Sequence, residues 1–240
     1  MESGGQTLLD KLYLCFIEDD RWTWLLEGLK NTLIITVFAL IIGVFIGIIV
    51  ATVRSTYDKN KDVMKRKGGA GYVVLKIANL ICQLFLTVIR GTPVVVQLMI
   101  VYFVILINMQ NGVIVAIIAF GINSGAYVAE IFRSGIMSID EGQFEAGRSL
   151  GFNYIQTMIH IIIPQAVKVI LPTLFNELIV LFKETSIAGY VGVVDLTKAG
   201  DRIRGRTFEA FLPLLAVALV YLIIVIILTQ ILRRSEEHNV

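Results

Sequence analysis

Charge is what this sequence has least of. Of its 240 residues only 17% are Asp, Glu, Lys or Arg, where a soluble domain carries about a quarter, and 56% are hydrophobic. That excludes an ordinary water-soluble fold and points to an integral membrane protein. An excess of one sign is lacking too: 21 Lys and Arg against 19 Asp and Glu leave a formal net charge of +2, so no nucleic-acid partner is expected. Histidine is nearly absent, and His160 and His238 lie too far apart for a metal site. Cys15 and Cys82 give neither a disulfide framework nor a metal spacing, and Cys82, in an apolar run, reads as a small core residue. The length suits one membrane domain and leaves no room for a soluble catalytic domain of usual size. Any energy source is therefore expected on another chain.

Long apolar runs stand in place of charge. A helix needs about 20 apolar residues to cross a bilayer core, and residues 25–53 supply them, with Trp22 and Trp24 at the aqueous boundary and a small-xxx-small pair, Gly43 and Gly47, within. Residues 1–24 carry Glu2, Asp10, Glu18, Asp19 and Asp20 and lack the basic start of a cleavable signal, which predicts a retained amphipathic lead ahead of a transmembrane domain over 25–240. Residues 54–67 hold six Lys or Arg against Asp58 and Asp62. The positive-inside rule makes this a cytoplasmic loop and puts the amino terminus outside. In the next stretch Lys76, Asn79, Gln83, Thr87 and Arg90 recur every three or four residues, a polar stripe costly against lipid. Residues 72–89 thus read as an amphipathic helix at the cytoplasmic surface or packed inside. Gly91, Thr92 and Pro93 break it, and a crossing follows over 93–109. Three more crossings are expected over 113–132, 155–182 (interrupted by Pro164 and Pro172) and 211–232. The fold class is all-α, with five transmembrane helices and the carboxyl terminus inside. Lys198, Arg202, Arg204 and Arg206 fall in a loop this topology places outside, against the positive-inside rule. No internal repeat is visible.

The cytoplasmic stretch before the fourth crossing carries Glu145, Ala146 and Gly147, then three residues, Gly151, nine more, and Ile161, Ile162, Ile163 and Pro164. Residues 141–150 can form a short helix, Gly151 can close it in the left-handed conformation, and Phe152 starts the return to the membrane. Glu, Ala and Gly alone suit an ordinary solvated loop; the fixed distance to Ile161 and Pro164 argues for more. The pattern resembles the EAA loop of ATP-binding-cassette importer permeases, with Gly147 where Ala is usual and Ile163 where Leu is usual. Asn31 and Thr32, Arg90 to Pro93 with Val96, Gln97 and Leu98, the run Asn123 to Glu130, Leu171 with Pro172, and Lys183 to Ser186 are similar to the branch serving polar amino acids of the histidine, glutamine and arginine type. That branch usually has Asp at Glu184. The resemblance covers about 31–232.

It implies a type I importer fold and a multi-pass place in a prokaryotic inner or plasma membrane. A coupling knob of Glu141, Glu145, Ala146, Gly147, Leu150 and Gly151 would dock in a groove of cytoplasmic ATPase subunits. The other implied partners are a second permease copy or paralogue, completing a dimer, and an extracytoplasmic amino-acid-binding protein. The chain would be a transporter subunit, not an enzyme, and would bind no cofactor. Gly200, Gly205, Arg206 and Thr207 imitate a phosphate-binding loop, but Arg replaces the required Lys and no strand precedes it, so ATP is expected on the partner.

Polar residues within spans are candidates for a substrate passage. Asn123, Tyr127, Glu130 and Ser134 share one helical face, and Thr173, Glu177 and Glu184 another. The expected passage set is Asn123, Tyr127, Glu130, Glu184, Thr185, Ser186 and Arg90, with carboxylates toward an ammonium or guanidinium group and Arg90 toward a carboxylate. The competing reading is helix packing, with Glu130 paired to Arg133 or Lys183; it is the favoured one for Glu177 and Arg90. The expected cargo is a polar amino acid, a cationic one such as arginine, lysine or histidine weakly favoured over glutamine or cystine. The alternative is a membrane channel or scaffold without ATP coupling; no catalytic constellation is present.

Overall fold

The computed structural model describes residues 7–237; residues 1–6 of the expected lead and the last three residues, His238 among them, lie outside the described residues. The helices are α1 (Leu8–Leu12), α2 (Trp22–Lys67), α3 (Ala70–Gly91), α4 (Val94–Ile100), α5 (Gly112–Met137), α6 (Glu141–Ser149), α7 (Tyr154–Thr157), α8 (Ile163–Glu184), α9 (Leu196–Thr207) and α10 (Phe211–Glu237). Wider π-type turns extend α4 over Val101–Ile105 and join α7 to α8 over Met158–Ile162. Among the described residues five segments are long and apolar enough to cross a membrane: Trp22–Arg66, Ala70–Gly91, Gly112–Met137, Tyr154–Val191 and Phe211–Arg234. The all-α fold with five spans is as expected, but three local expectations change.

The first concerns the basic loop, which is helix. Residues 54–67 contain neither glycine nor proline, so nothing stops α2 until Gly68 and Gly69, at φ 66° and 100°. At 1.5 Å per residue its 46 residues extend about 69 Å, more than twice the bilayer core of about 30 Å.

The second concerns α3, which takes the second of its two expected positions, packed along the bundle and not on a surface, and is itself long and apolar enough to be a span. Its Cys82, Phe85, Leu86 and Ile89 pack against Ile46 and Val50 of α2 and Ala126 and Ala129 of α5. Its polar stripe is narrow: Asn79 is buried, Lys76, Gln83, Thr87 and Arg90 are exposed, and the remaining outer face offers Val73, Val74, Ile77, Leu80, Ile81 and Leu84. Thr92 is extended (φ −122°, ψ 148°) ahead of Pro93. The Gln97 amide spans the break, donating to the Ile89 carbonyl (2.7 Å) and Thr92 Oγ1 (2.8 Å). The crossing therefore uses α3 and α4 in succession and begins near residue 70, not 93.

The third concerns the prolines of the fourth span, which do not interrupt it. Pro164 sits in the first turn of α8, where a missing N–H costs nothing, and Pro172 is carried inside the helix.

The core seam joins α2 to α5, which run in the same direction. A Cβ at Gly43 would come within 2.9 Å of Ser124 Oγ and one at Gly47 within 2.5 Å of Val128 Cγ1, while Gly121 and Gly125 receive Ile42 and Ile46 in return. Four glycines thus bring two backbones close enough for direct van der Waals packing, the main glue between helices in lipid.

At the far end α9 caps the bundle. Leu196 N–H donates to Thr32 Oγ1 (3.0 Å) and Asn31 Nδ2 to the Val194 carbonyl (2.9 Å). The basic residues that strained the topology lie on this amphipathic helix. Lys198 and Arg204 both reach Asp201 (3.1 and 2.9 Å), and Arg202 lies 5.4 Å from the Trp24 ring centroid. Cys15 and Phe16 of the lead pack with Ile203 and Leu212 below it.

Candidate functional site

The short helix α6 is built by its caps. Asp140 Oδ1 accepts from Gly142 N–H (2.7 Å) at its start. At its end Gly151, φ 80°, turns the chain, with Gly151 N–H donating to the Arg148 carbonyl and Phe152 N–H to that of Gly147, both 3.0 Å. This is a Schellman closure. One face of α6 is buried through Phe144 and Gly147; Glu141, Glu145, Ala146, Ser149 and Leu150 are exposed, Leu150 by 70%.

The inner face is seated on residues of α2, α5, α7 and α8. Phe144 packs with Ile136, Ile162, Ala166 and Ile170. A Cβ at Gly147 would meet Thr157 Cγ2 at 2.6 Å, so the glycine at the third motif position matches a bulky neighbour on α7. Lys59, from the extension of α2, bonds Glu141 Oε1 (2.5 Å) and lies 4.5 Å from the Phe144 ring centroid. That hydrogen bond, reinforced by the charge of Lys59, holds the Glu141 carboxyl below the usual carboxylate range.

Within the membrane region a groove of about 500 Å³ runs between α5 and α8, lined by Tyr127, Glu130, Ser134, Thr173, Asn176 and Glu177 among others. Glu130 is surrounded by guanidinium groups: Arg133 at 3.2 Å, Arg54 at 3.8 Å and Arg90 at 3.9 Å. Arg133 also reaches Asp58 (3.3 Å), and Arg90, 46% exposed, lies over the Tyr127 ring. Ser124 Oγ donates to Glu177 Oε1 (2.9 Å).

The expected passage residues therefore divide. Tyr127, Glu130 and Arg90 come together. Asn123 is 2% exposed and donates to Gln97 Oε1 (3.0 Å), pinning α5 to α4. Glu184 is the last residue of α8, outside the groove lining, and the next two residues turn to the α9 end: Thr185 is fully buried with its hydroxyl on the Phe182 carbonyl, and Ser186 shares a cleft with Tyr190, Lys198 and Asp201. Among the described residues no cluster of three or more His, Cys, Asp or Glu could hold a metal.

The family model for the inner membrane component of binding-protein-dependent transport systems matches residues 69–238, which include α6 and the groove. The chain belongs to this permease family. The permease is 39% identical over 217 residues to the glutamine transport system permease protein GlnP of Escherichia coli K12, covering 89% of this chain and 91% of that one. It is 36% identical to the putative counterpart in Rickettsia prowazekii, covering 89% and 92%. A solved structure described as an amino acid ABC transporter with histidines superposes with a TM-score of 0.79 at 35% identity, covering 93% of this chain and 98% of that one. The inward-facing MetNI methionine ABC transporter shares the fold, with a TM-score of 0.75 at 19% identity over 91% and 97%.

The permease is thus a membrane component of an ABC amino acid importer, and ATP is hydrolysed by separate subunits. Its family works with ATPase subunits, a substrate-binding protein and a second permease. Three residues of the groove region carry no mark of this site in the sequence alone: Arg54 and Asp58, in a stretch that reads as loop, and Asn176. Their signal was the four-residue spacing of Arg54 and Asp58, which puts both on one face once α2 is known to continue.

Proposed function

We propose that this permease, paired with a second copy or a paralogue, moves a polar and net-uncharged amino acid inward by alternating access. An external binding protein delivers the cargo and two cytoplasmic ATPases drive the cycle. Glu141, Glu145, Ala146, Gly147, Leu150 and Gly151 form the knob that the ATPase grips, and the α5–α8 groove with Arg90 lines the route. The chain holds no cofactor or metal of its own. The observation that carries the reading is the α6 knob, capped at both ends, seated on α2, α5, α7 and α8, and presenting Glu145, Ala146 and Leu150 outward. A channel or scaffold has no use for such a lever.

The weak preference for a cationic cargo rested on Glu130 and Glu184. Glu130 is engaged by three guanidiniums and Glu184 lies outside the groove, so neither is free to receive a cation there. The relatives named for glutamine and crystallised with histidine agree with a zwitterion carrying a hydrogen-bonding side chain. The test is uptake of labelled glutamine, histidine and arginine by vesicles holding the complete complex. ATP-dependent uptake of glutamine or histidine ahead of arginine is expected. Preferential arginine uptake would refute the charge class, and uptake without ATP would refute coupling.

A further inference from the structure

We propose that the cytoplasmic extension of α2 is a second docking surface for the ATPase, receiving an acidic segment of that subunit in the groove between the extension and α6. The inference rests on the reading of α6 as the ATPase dock and adds a contact to it.

Reach comes first. α2 continues eight residues past Lys59, about 12 Å, and a helix with its side chains is about 10–12 Å thick. A protein seated on the outer face of α6 therefore meets the extension alongside it. The two elements enclose a groove of about 250 Å³, walled by Lys59, Asn60 and Val63 on one side and by Phe144, Arg148 and Tyr154 on the other.

The lining is that of an interface. Val63 is 55% exposed, on a helix far from the apolar run that ends at Val53. Arg66 follows Lys59 by seven residues and so continues the face turned toward α6. Lys59 and Glu141 neutralise each other, but neither Arg66 nor Arg148 forms an ion pair among the described residues, and both are exposed. The other exposed charged residues described on the extension are two lysines, Lys61 and Lys65, and one carboxylate, Asp62. An apolar spot flanked by two unpaired guanidiniums suits an acidic segment.

Lipid is the weaker occupant. The tip lies 13 residues past Arg54, about 20 Å along the helix, whereas the headgroup layer adds only about 5–8 Å per leaflet.

The test titrates purified ATPase subunit onto the permease in phosphatidylcholine nanodiscs. Val63→Gln combined with Arg66→Glu, a change of two charges, should weaken binding about tenfold at low salt, with the difference shrinking as salt screens the charges. Lys61→Glu, an equal charge change on the opposite face, should cost less than about threefold. Both sites are exposed, and unchanged melting would verify folding. Wild-type affinity in the double variant overturns the proposal, as does an equal loss in Lys61→Glu, which would mean diffuse attraction without a groove. If the double variant loses only affinity for phosphatidylglycerol vesicles, the surface belongs to lipid and the proposal is likewise overturned. Gly151→Val separates the two readings: wild-type ATPase binding in that variant would sink the α6 dock itself, whatever the extension does.

Discussion

Replacing Gly147 with alanine would restore the residue most common at this place in the EAA pattern, yet here it should harm the coupling helix. Two effects oppose each other. Alanine in a helix interior is favoured over glycine by about 1 kcal/mol. Against this, the new Cβ would sit 2.6 Å from Thr157 Cγ2 and 2.7 Å from its Oγ1, closer than such atoms approach. Thr157 cannot readily yield: it is 2% exposed, β-branched and stiff at χ1, and its hydroxyl donates to the Asn153 carbonyl (3.0 Å). Overpacking of this kind costs about 1–3 kcal/mol, so the net effect is a loss of about 0–2 kcal/mol once the propensity gain is deducted. Thr157→Ala removes both clashing atoms and leaves its Cβ at a tight 3.1 Å. In that background Gly147→Ala should stabilise by up to about 1 kcal/mol, a reversal of sign that a double-mutant cycle resolves. Hydrogen exchange of the α6 amides reads the local opening equilibrium directly. Protection should fall in the single variant and rise when alanine is added to Thr157→Ala. A rise in both backgrounds would show that the two residues are not in contact and that the reasoning is wrong.

Three other outcomes follow from the same geometry. Gly151→Val must adopt φ near 80°, which costs a residue with a Cβ roughly 1–2 kcal/mol or more; pull-down with the ATPase should fail, whereas Gly151→Asn, which tolerates that region better, should retain part of the binding. Glu141 has a folded-state pKa below its ordinary value through Lys59, so its contribution to seating α6 is present at neutral pH and is lost as pH falls below about 4.3 toward the depressed value; α6 exchange followed against pH should show this in the wild type and not in Lys59→Met. Asp195 is fully buried and its carboxyl is pushed up by burial, opposed by hydrogen bonds from the N–H groups of Thr197 and Lys198. An acid raised in the folded state costs stability as pH climbs through its pKa, so Asp195→Asn, which removes the titrating group and keeps one of the two acceptor oxygens of the cap, should flatten that decline in melting temperature with pH.

Much of the molecule was legible because it is written in short-range spacing. Apolar run length reports a membrane span, since the bilayer thickness is a fixed ruler. The α6 loop was readable for a similar reason: Gly151 supplies a left-handed backbone by its own chemistry and closes the helix with bonds to residues three and five positions back. Tertiary structure decided what depends on faces and on distant partners. The stripe on α3 implied a helix avoiding lipid, but only packing against α2 and α5 shows a helix standing upright with its polar side turned from the lipid-like flank. Glu130 lay within reach of Arg133 by helical spacing, yet Arg54 and Arg90 join it from 76 and 40 residues away, once the uninterrupted α2 and the antiparallel α3 bring their charges to one level. Those two arrivals change what Glu130 can do: a carboxylate that in the sequence suits a cationic cargo as well as Arg133 is, in the fold, already surrounded by cations.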